Sequence, residues 1–360
     1  MEPLRINRIR RLVTAGTATL ALTAYLPASP DAPPLAETLQ KVREKAEKAL
    51  AKHPDRREAE NFRTNLEYAL NRLMESPSFG EGTWLIAVTT NASEAIFLPF
   101  QWKEEIAIGK TLKVHPALYA LYRTRTVFVC LASENSARWF EGVGDQVFPL
   151  PLAESVREAL AHLQKARHYF QSGPTESGRF EEMFSEMARA AYNVALVKYI
   201  ETLREAIAYY LEQEKVPVLL MGDERLIEEV GRGLEGRGPI SRIGGIPETA
   251  SPEIIQHHLV QHLHHQSRVL EQMYYPFLQY SEAQTPQEIW QLLQDSVPSS
   301  PVLFVEEGYS LPVQELLGRK QQASTSDGLD LLIACVREKG GEVLFLPPGK
   351  LPSPLILLLP

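Results

Sequence analysis

Residues 127–142, VFVCLASENSARWFEG, carry the pattern on which the fold turns. An apolar run, Thr126–Ala132, gives way to a polar turn at Glu134–Ser136 and then to a second run, Ala137–Gly142, so the stretch reads as a β-hairpin. Val147–Leu150 extends the sheet, and a short helix over about 153–167 follows. The segment 171–178, QSGPTESG, holds two glycines, a proline and two serines and reads as a loop. A long helix over about 179–213 comes next, with Phe184, Met187, Ala191, Ala195, Val197 and Ile200 at helical spacing. Val216–Met221 is a short, wholly apolar strand. Gly222 and Asp223 turn it into a helix over 223–234, with Asp223 as N-cap. Ser251-Pro252 has the form of a helix start, Pro being tolerated where its missing N–H would have no partner, and this helix runs to about Ser281.

Outward from this block, the N-terminal part opens with Arg5, Arg8, Arg10 and Arg11 before an apolar run ending in PASPDA, which imitates a secretory leader. The run from Thr17 to Leu26 alternates instead, with Ala18, Leu20, Leu22, Ala24 and Leu26 on one side and Thr17, Thr19, Thr23 and Tyr25 on the other, the period of a β-strand. A polar helix over about 35–75, strands at Trp84–Thr89 and Glu94–Pro99, and a closing segment over 112–122 complete a small α/β domain. The C-terminal part reads helix 286–294, strand 301–306, helix 327–339, strand 342–347 and a terminal strand at Pro354–Leu359. Strands alternating with helices indicate α/β architecture in three parts, 1–120, 121–275 and 276–360.

The 360 residues are 44% hydrophobic and 23% charged, a composition that supports a sizeable core. The net charge of −8 speaks against a protein that coats nucleic acid along its whole surface. Residues 1–120 hold 16 Lys+Arg against 14 Asp+Glu, 121–275 hold 16 against 21, and 276–360 hold 5 against 10. The N-terminal part is therefore the only one that is net basic. No apolar run reaches the ~18 residues of a membrane span. The two cysteines, Cys130 and Cys335, lie in apolar runs (VFVCLA and LLIACV) and are expected to be buried thiols of a reducing compartment.

Taken together, VFVCLASENSARWFEG, the loop before a long helix, VPVLLMGDERL at 216–226 and DGLDLLIACVREKGGEVLFLP at 327–347 resemble the bacterial branch of the archaeo-eukaryotic release factor superfamily, which includes Pelota and the class-1 peptide-release factor. TAYLPASPDAP at 23–33 is similar to the first strand of the bacterial members. The resemblance implies a variable N-terminal domain, a central RNase H-like domain and a C-terminal ribosomal-protein-like α/β domain. It implies a cytoplasmic protein without cofactor whose partners are the ribosome and ribosomal RNA or tRNA, with neither DNA nor membrane, acting in release, rescue, quality control or hibernation. The release factors carry Gly-Gly-Gln in the loop before the long central helix. Here the loop is QSGPTESG, and Gln171 follows Phe170, not a glycine pair, so the backbone lacks the freedom to aim that side chain.

The flank of this loop supplies the leading candidates. Lys165, Arg167, His168, Tyr169 and Phe170 lead in and Arg179 follows, a mix of cations for phosphate and aromatics for stacking on unpaired bases. The plain alternative is that they cover the end of a short helix. Gly173 and Gly178 are candidate hinges. In a second reading, a peptidyl-tRNA hydrolase, Gln171 or His168 would orient the attacking water. In a third, the chain is an interaction scaffold with no ribosomal role.

The remaining signals have plainer explanations. Lys41, Arg43, Lys45, Lys48, Lys52, Arg56 and Arg57 alternate with Glu44, Glu47, Asp55 and Glu58, as on a solvated face laced with ion pairs. His258, His262 and His265 share a helix face at a spacing that can reach one zinc, but Glu253 is the nearest acid and no HExxH pattern completes a site. Gly231, Gly233 and Gly236 spell GxGxxG, yet they close a helix where a dinucleotide site would open one. Glu306 and Glu307 are adjacent strand residues and point to opposite faces.

Overall fold

The computed structural model describes residues 1, 3–14, 18–29, 34–75, 81–171, 179–279, 284–295, 301–306, 309, 311–312, 315–316, 328–346, 349, 351 and 353–359. The chain divides into two compact units, Met1–Arg8 with Arg125–Val260 and Ile9–Thr124 with Gln261–Pro360. Among the described residues it is a mixed α/β protein with three sheets, of four, five and three strands.

The basic run forms a helix, α1 (Arg5–Thr14), that was not expected from the sequence. Its first turn belongs to the unit built on residues 125–260. In the other unit, β1 (Ala21–Ala28) is followed by α2 (Leu35–Leu50) and α3 (Arg56–Glu75), so the single helix expected over 35–75 is two. The break has a local cause. Pro54 has no N–H with which to continue the ladder. Asp55 Oδ1 then accepts from the backbone N–H of Arg57 at 2.8 Å and of Glu58 at 3.1 Å, capping a new helix. The two helices are joined by forked ion pairs, Arg43 to Glu67 at 2.9 Å and Arg63 to Glu47 at 2.8 Å. These pairs employ part of the basic stretch as helix-to-helix contacts.

β2 (Gly82–Thr89), β3 (Ser93–Leu98) and β4 (Glu105–Gly109) complete an antiparallel sheet in the order β3-β2-β1-β4, and α4 (His115–Arg123) follows. The alternation seen in the first strand does not separate a wet face from a dry one, because β1 is an inner strand and Thr23 and Tyr25 are buried too. Their polar atoms are satisfied locally: Thr23 Oγ1 accepts from the Lys113 N–H at 2.9 Å, and the Tyr25 hydroxyl donates to the Lys113 carbonyl at 2.7 Å.

The central sheet is built from β5 (Thr126–Ala132), β6 (Ala137–Val143) and β7 (Gln146–Leu150), which pair antiparallel. The helices α5 (Glu154–Gln171) and α6 (Arg179–Glu212) then carry the chain to β8 (Val218–Gly222), which lies parallel to β5. A second crossover through α7 (Glu224–Arg232) places β9 (Ile240–Gly244) parallel to β8, giving the order β7-β6-β5-β8-β9. Phe128 and Tyr210 stack with ring centroids 3.8 Å apart, and Trp139 meets Phe128 edge-on at 5.5 Å. The long helix α6 buries Tyr199, Ile200, Leu203, Ile207 and Tyr210, while Met187 and Val197, which share its helical spacing, are exposed. Asp223 caps α7 as expected, its Oδ1 accepting from the Leu226 N–H at 2.9 Å.

The helix α8 (Pro252–Gln279) precedes the C-terminal elements α9 (Pro286–Gln294), β10 (Val302–Glu306), α10 (Gly328–Glu338), β11 (Glu342–Leu346) and β12 (Leu355–Leu358). Thr285 and Glu288 form a capping box at the start of α9. β10 is the middle strand, parallel to β11 and antiparallel to β12, and α10 packs against α4 and α9. Cys130 is buried, but Cys335 lies on α10 and is only half-buried. Glu307 lies outside the described residues. No helix among the described residues is long and apolar enough to cross a membrane.

The tightest backbone approach in the central sheet is at Gly222, where φ is +125° and a Cβ would stand 2.0 Å from the Ala132 carbonyl oxygen. Gly222→Ala is expected to destabilise the protein by roughly 3 kcal/mol, from the strained φ and the clash together. Urea denaturation of parent and variant measures this, and a midpoint within error of the parent would refute the crowding.

Candidate functional site

Three strand ends of the central sheet converge on an open cleft of about 470 Å³. Ser133, Glu134 and Asn135 follow β5, Gly222 ends β8 with Asp223 and Glu224 after it, and Gly245, Pro247 and Glu248 follow β9. The carboxyl ends of parallel strands are where open α/β sheets leave room for ligands, at the point where successive connections depart in opposite directions. Here β6 lies on one side of β5 and β8 on the other.

The loop after β5 is organised around one hydroxyl. Ser133 Oγ donates to Glu248 Oε2 at 2.5 Å and accepts from the backbone N–H groups of Asn135 and Ser136, each at 3.0 Å. Both lone pairs of this oxygen are engaged by amides, so Ser133 is a structural pin and has no pair available for nucleophilic attack. Hydrogen bonds from Ser133 and Asn135, with Arg167 nearby, hold the Glu248 carboxyl below the usual carboxylate range. Arg138 donates to the Ala250 carbonyl at 2.7 Å and fixes the far side of the same turn. From α6, the Tyr192 hydroxyl donates to Glu134, and burial together with that carboxylate pushes its pKa up to about 12. Tyr199 donates to the Ser133 carbonyl at 3.2 Å. Beneath the cleft, burial pushes the Cys130 thiol up to about 12, so it is unreactive at neutral pH.

The structure sorts the residues nominated from the sequence into two groups. Arg167 lines the cleft, its guanidinium donating to Asn135 Oδ1, and Gln164 donates to the Asn135 carbonyl at 2.6 Å. Lys165, His168 and Tyr169 are exposed on the last turns of α5, with Tyr169 64% exposed. His162 is exposed one turn earlier on the same face, which the sequence reading overlooked. Gln171, read as the first residue of a loop, is the last residue of α5. The Phe170 and Arg179 side chains and residues 172–178, with Gly173 and Gly178, lie outside the described residues. His258 and His262 are half-buried and His265 is exposed, and among the described residues no three His, Cys, Asp or Glu side chains are grouped to hold a metal. Gly231 and Gly233 serve packing: a Cβ at either would stand 2.0 Å from Arg242 Nε or 2.3 Å from Arg204 Nε.

Most of the cleft was absent from the sequence reading. Ser133, Asn135, Tyr192 and Glu248 carry no motif; the signal of Ser133, Asn135 and Glu248 is position after strands whose parallel order must be known first, and Tyr192 is one of many polar positions on a long helix. β9 was not foreseen, so neither was its contribution.

No protein-family model matches this chain, and no curated protein matches it. Among solved structures, the chain is similar to the archaeal translation termination factor aRF1, at 11% identity over 96% of this chain and 93% of that one, with a TM-score of 0.26. It is similar to Pelota of Archaeoglobus fulgidus, at 12% identity over 79% and 81% of the two chains and a TM-score of 0.23. It is also similar to S. cerevisiae Dom34, described as a translation termination-like factor involved in RNA quality control pathways, at 12% identity over 74% and 75% and a TM-score of 0.25.

The pinned turn has a pH signature. A carboxyl held low in the folded state adds stability that is present above its unfolded pKa and is lost as pH falls through its folded value. Ser133→Ala is expected to move the Glu248 carboxyl up toward the ordinary range and so reduce this acid-side contribution, leaving the part supplied by Asn135 and Arg167. Carboxyl titration by NMR reads the shift directly, and an unmoved Glu248 would contradict the pinning role of Ser133.

Proposed function

We propose that the protein is a cytoplasmic, ribosome-associated translation factor of the release and rescue type, acting in rescue, quality control or hibernation without peptide-release chemistry. Its central part, 121–275, would be the RNase H-like domain of the resemblance, and the exposed end of α5 would be the surface that meets ribosomal RNA or tRNA.

One observation carries the reading: Lys165, His168 and Tyr169 stand exposed together on one helix face, with His162 a turn away. An exposed tyrosine beside cations suits base stacking backed by phosphate attraction. The sheet order β7-β6-β5-β8-β9, an antiparallel meander extended by two parallel strands, supports the domain assignment that accompanies it. Two features weigh against a hydrolase. Gln171 is part of a helix, and the Ser133 hydroxyl in the cleft is saturated with hydrogen bonds.

Co-sedimentation with ribosomes at low and moderate salt tests the proposal. The parent protein should bind, with affinity falling as salt rises. Replacing Lys165, His168 and Tyr169 together by Ala should weaken binding roughly tenfold or more, the scale of one lost stacking contact and one lost cation. Arg167 is left in place so that the cleft is undisturbed. Binding unaffected by the triple change would remove α5 from the interface, and no binding to empty or stalled ribosomes would leave an interaction scaffold as the better reading.

A further inference from the structure

Two carboxylates of the central unit, Glu141 and Glu214, are almost fully buried at 1% and 2% exposure, and the cleft uses neither. Both are met by the first residues of the chain. The Arg5 backbone N–H donates to Glu141 Oε1 at 2.8 Å, and its guanidinium donates to Glu141 Oε2. The guanidinium carbon also lies 3.9 Å from the centre of the Phe148 ring on β7. Glu214 Oε2 accepts from the Leu4 N–H at 3.1 Å and from Asn7 Nδ2 at 2.6 Å, and Asn7 Nδ2 also lies 3.0 Å from the Glu214 carbonyl. The remaining oxygen, Oε1, accepts from the Tyr209 hydroxyl at 3.1 Å. Lys215 has a φ of +53°, an uncommon value for a residue with a side chain, in the turn immediately after Glu214.

We propose that β6, β7 and the end of α6 form a recognition groove for a Leu-Arg-x-Asn segment, filled by residues 4–7 of this same chain, so that the N-terminus is a clasp on the central unit. The groove reads a guanidinium through Glu141 and Phe148, and an amide with a backbone N–H through Glu214. Groove and segment are more than a hundred positions apart in sequence. The segment is held by the Arg5–Glu141 ion pair, by the Leu4 and Asn7 hydrogen bonds to Glu214 and by burial of Leu4 and Ile6. A buried carboxylate that loses its partner is strongly destabilising, whereas replacing both partners by apolar residues is often tolerated. Burial pushes the Glu141 carboxyl up, and Arg5, with Arg8 further off, opposes that push. The groups facing Glu141 are Arg5 and Arg8 from α1 and the Phe148 ring beside the Arg5 guanidinium.

The test uses the full-length chain. Arg5→Met should lower the melting temperature of the central unit by about 10 °C and speed amide hydrogen exchange in β6 and β7. The deficit should be small in acid, where Glu141 is protonated whether folded or unfolded. It should grow as pH rises through the carboxylate range, because the folded state holds the proton longer and is penalised when it is lost. Arg5→Met/Glu141→Met should recover at least half of the loss. A peptide of residues 3–8, added in excess to the Arg5→Met chain, should slow exchange in β6 and β7, and the same peptide with Met in place of Arg should not. Parent-like exchange in Arg5→Met would overturn the clasp, as would a double variant no better than the single one or a peptide without effect. If Arg5→Met fails to fold, the double variant decides: folding supports the pairing and failure overturns it.

Discussion

The central sheet depends on the close passage of its three parallel strand ends. Ala132 and Gly222 are paired in register, and no side chain fits between the Gly222 α-carbon and the Ala132 carbonyl. That same carbonyl accepts the Asp223 N–H at 3.1 Å, and the Gly222 carbonyl accepts the Gly245 N–H at 2.9 Å. One bare backbone position thus lets β5, β8 and β9 finish at the same level. From there each chain departs as a loop, and the cleft is what the three departures enclose. The cap of α7 follows from the same point, because Asp223 can reach the Leu226 N–H only after the turn that Gly222 permits.

Parallel pairing also explains the helices. Strands that run side by side in one direction need a long crossover. Between β5 and β8 the chain inserts the β6–β7 meander and then α5 and α6, which pack against each other along much of their length. Charge is handled in two ways around this frame. On α2 and α3 the forked pairs Arg43–Glu67 and Arg63–Glu47 are substantially exposed, where such pairs are worth about 0–1 kcal/mol each. At Arg5–Glu141 both side chains are nearly dry, and the consequence of breaking the pair is correspondingly larger.

The parts of the fold legible from the sequence are those where one physical requirement dominates. Thr126–Ala132 and Val218–Gly222 are buried along their whole length and read as apolar runs, and Asp223 announces a helix start because a short acceptor side chain suits that position. β9 escapes notice because an edge strand half-open to solvent tolerates the mixed run ISRIG. α1 escapes notice because the partner that explains Arg5 is 136 positions away. The cleft shares that difficulty, since Ser133 and Glu248 meet across 115 positions and neither carries a local signature.

The run Lys165–Phe170 looks like a single basic and aromatic patch when read in order, but a helix divides it. Arg167 turns to Asn135 and the cleft, while Lys165, His168 and Tyr169 face solvent. At 100° per residue, Arg167 points away from the arc that Lys165, His168 and Tyr169 share, so the run does not form one patch. The division places two surfaces on different sides of one helix. Asn135 is held by Arg167 and Gln164 from α5, and by the Ser133 hydroxyl from its own turn. The turn that forms one wall of the cleft is thus joined to α5 on the side away from its exposed end face. The buried Val156, Ala159, Leu160 and Leu163 lie on the side of α5 opposite Lys165, His168 and Tyr169, and their burial fixes which side chains are left to solvent.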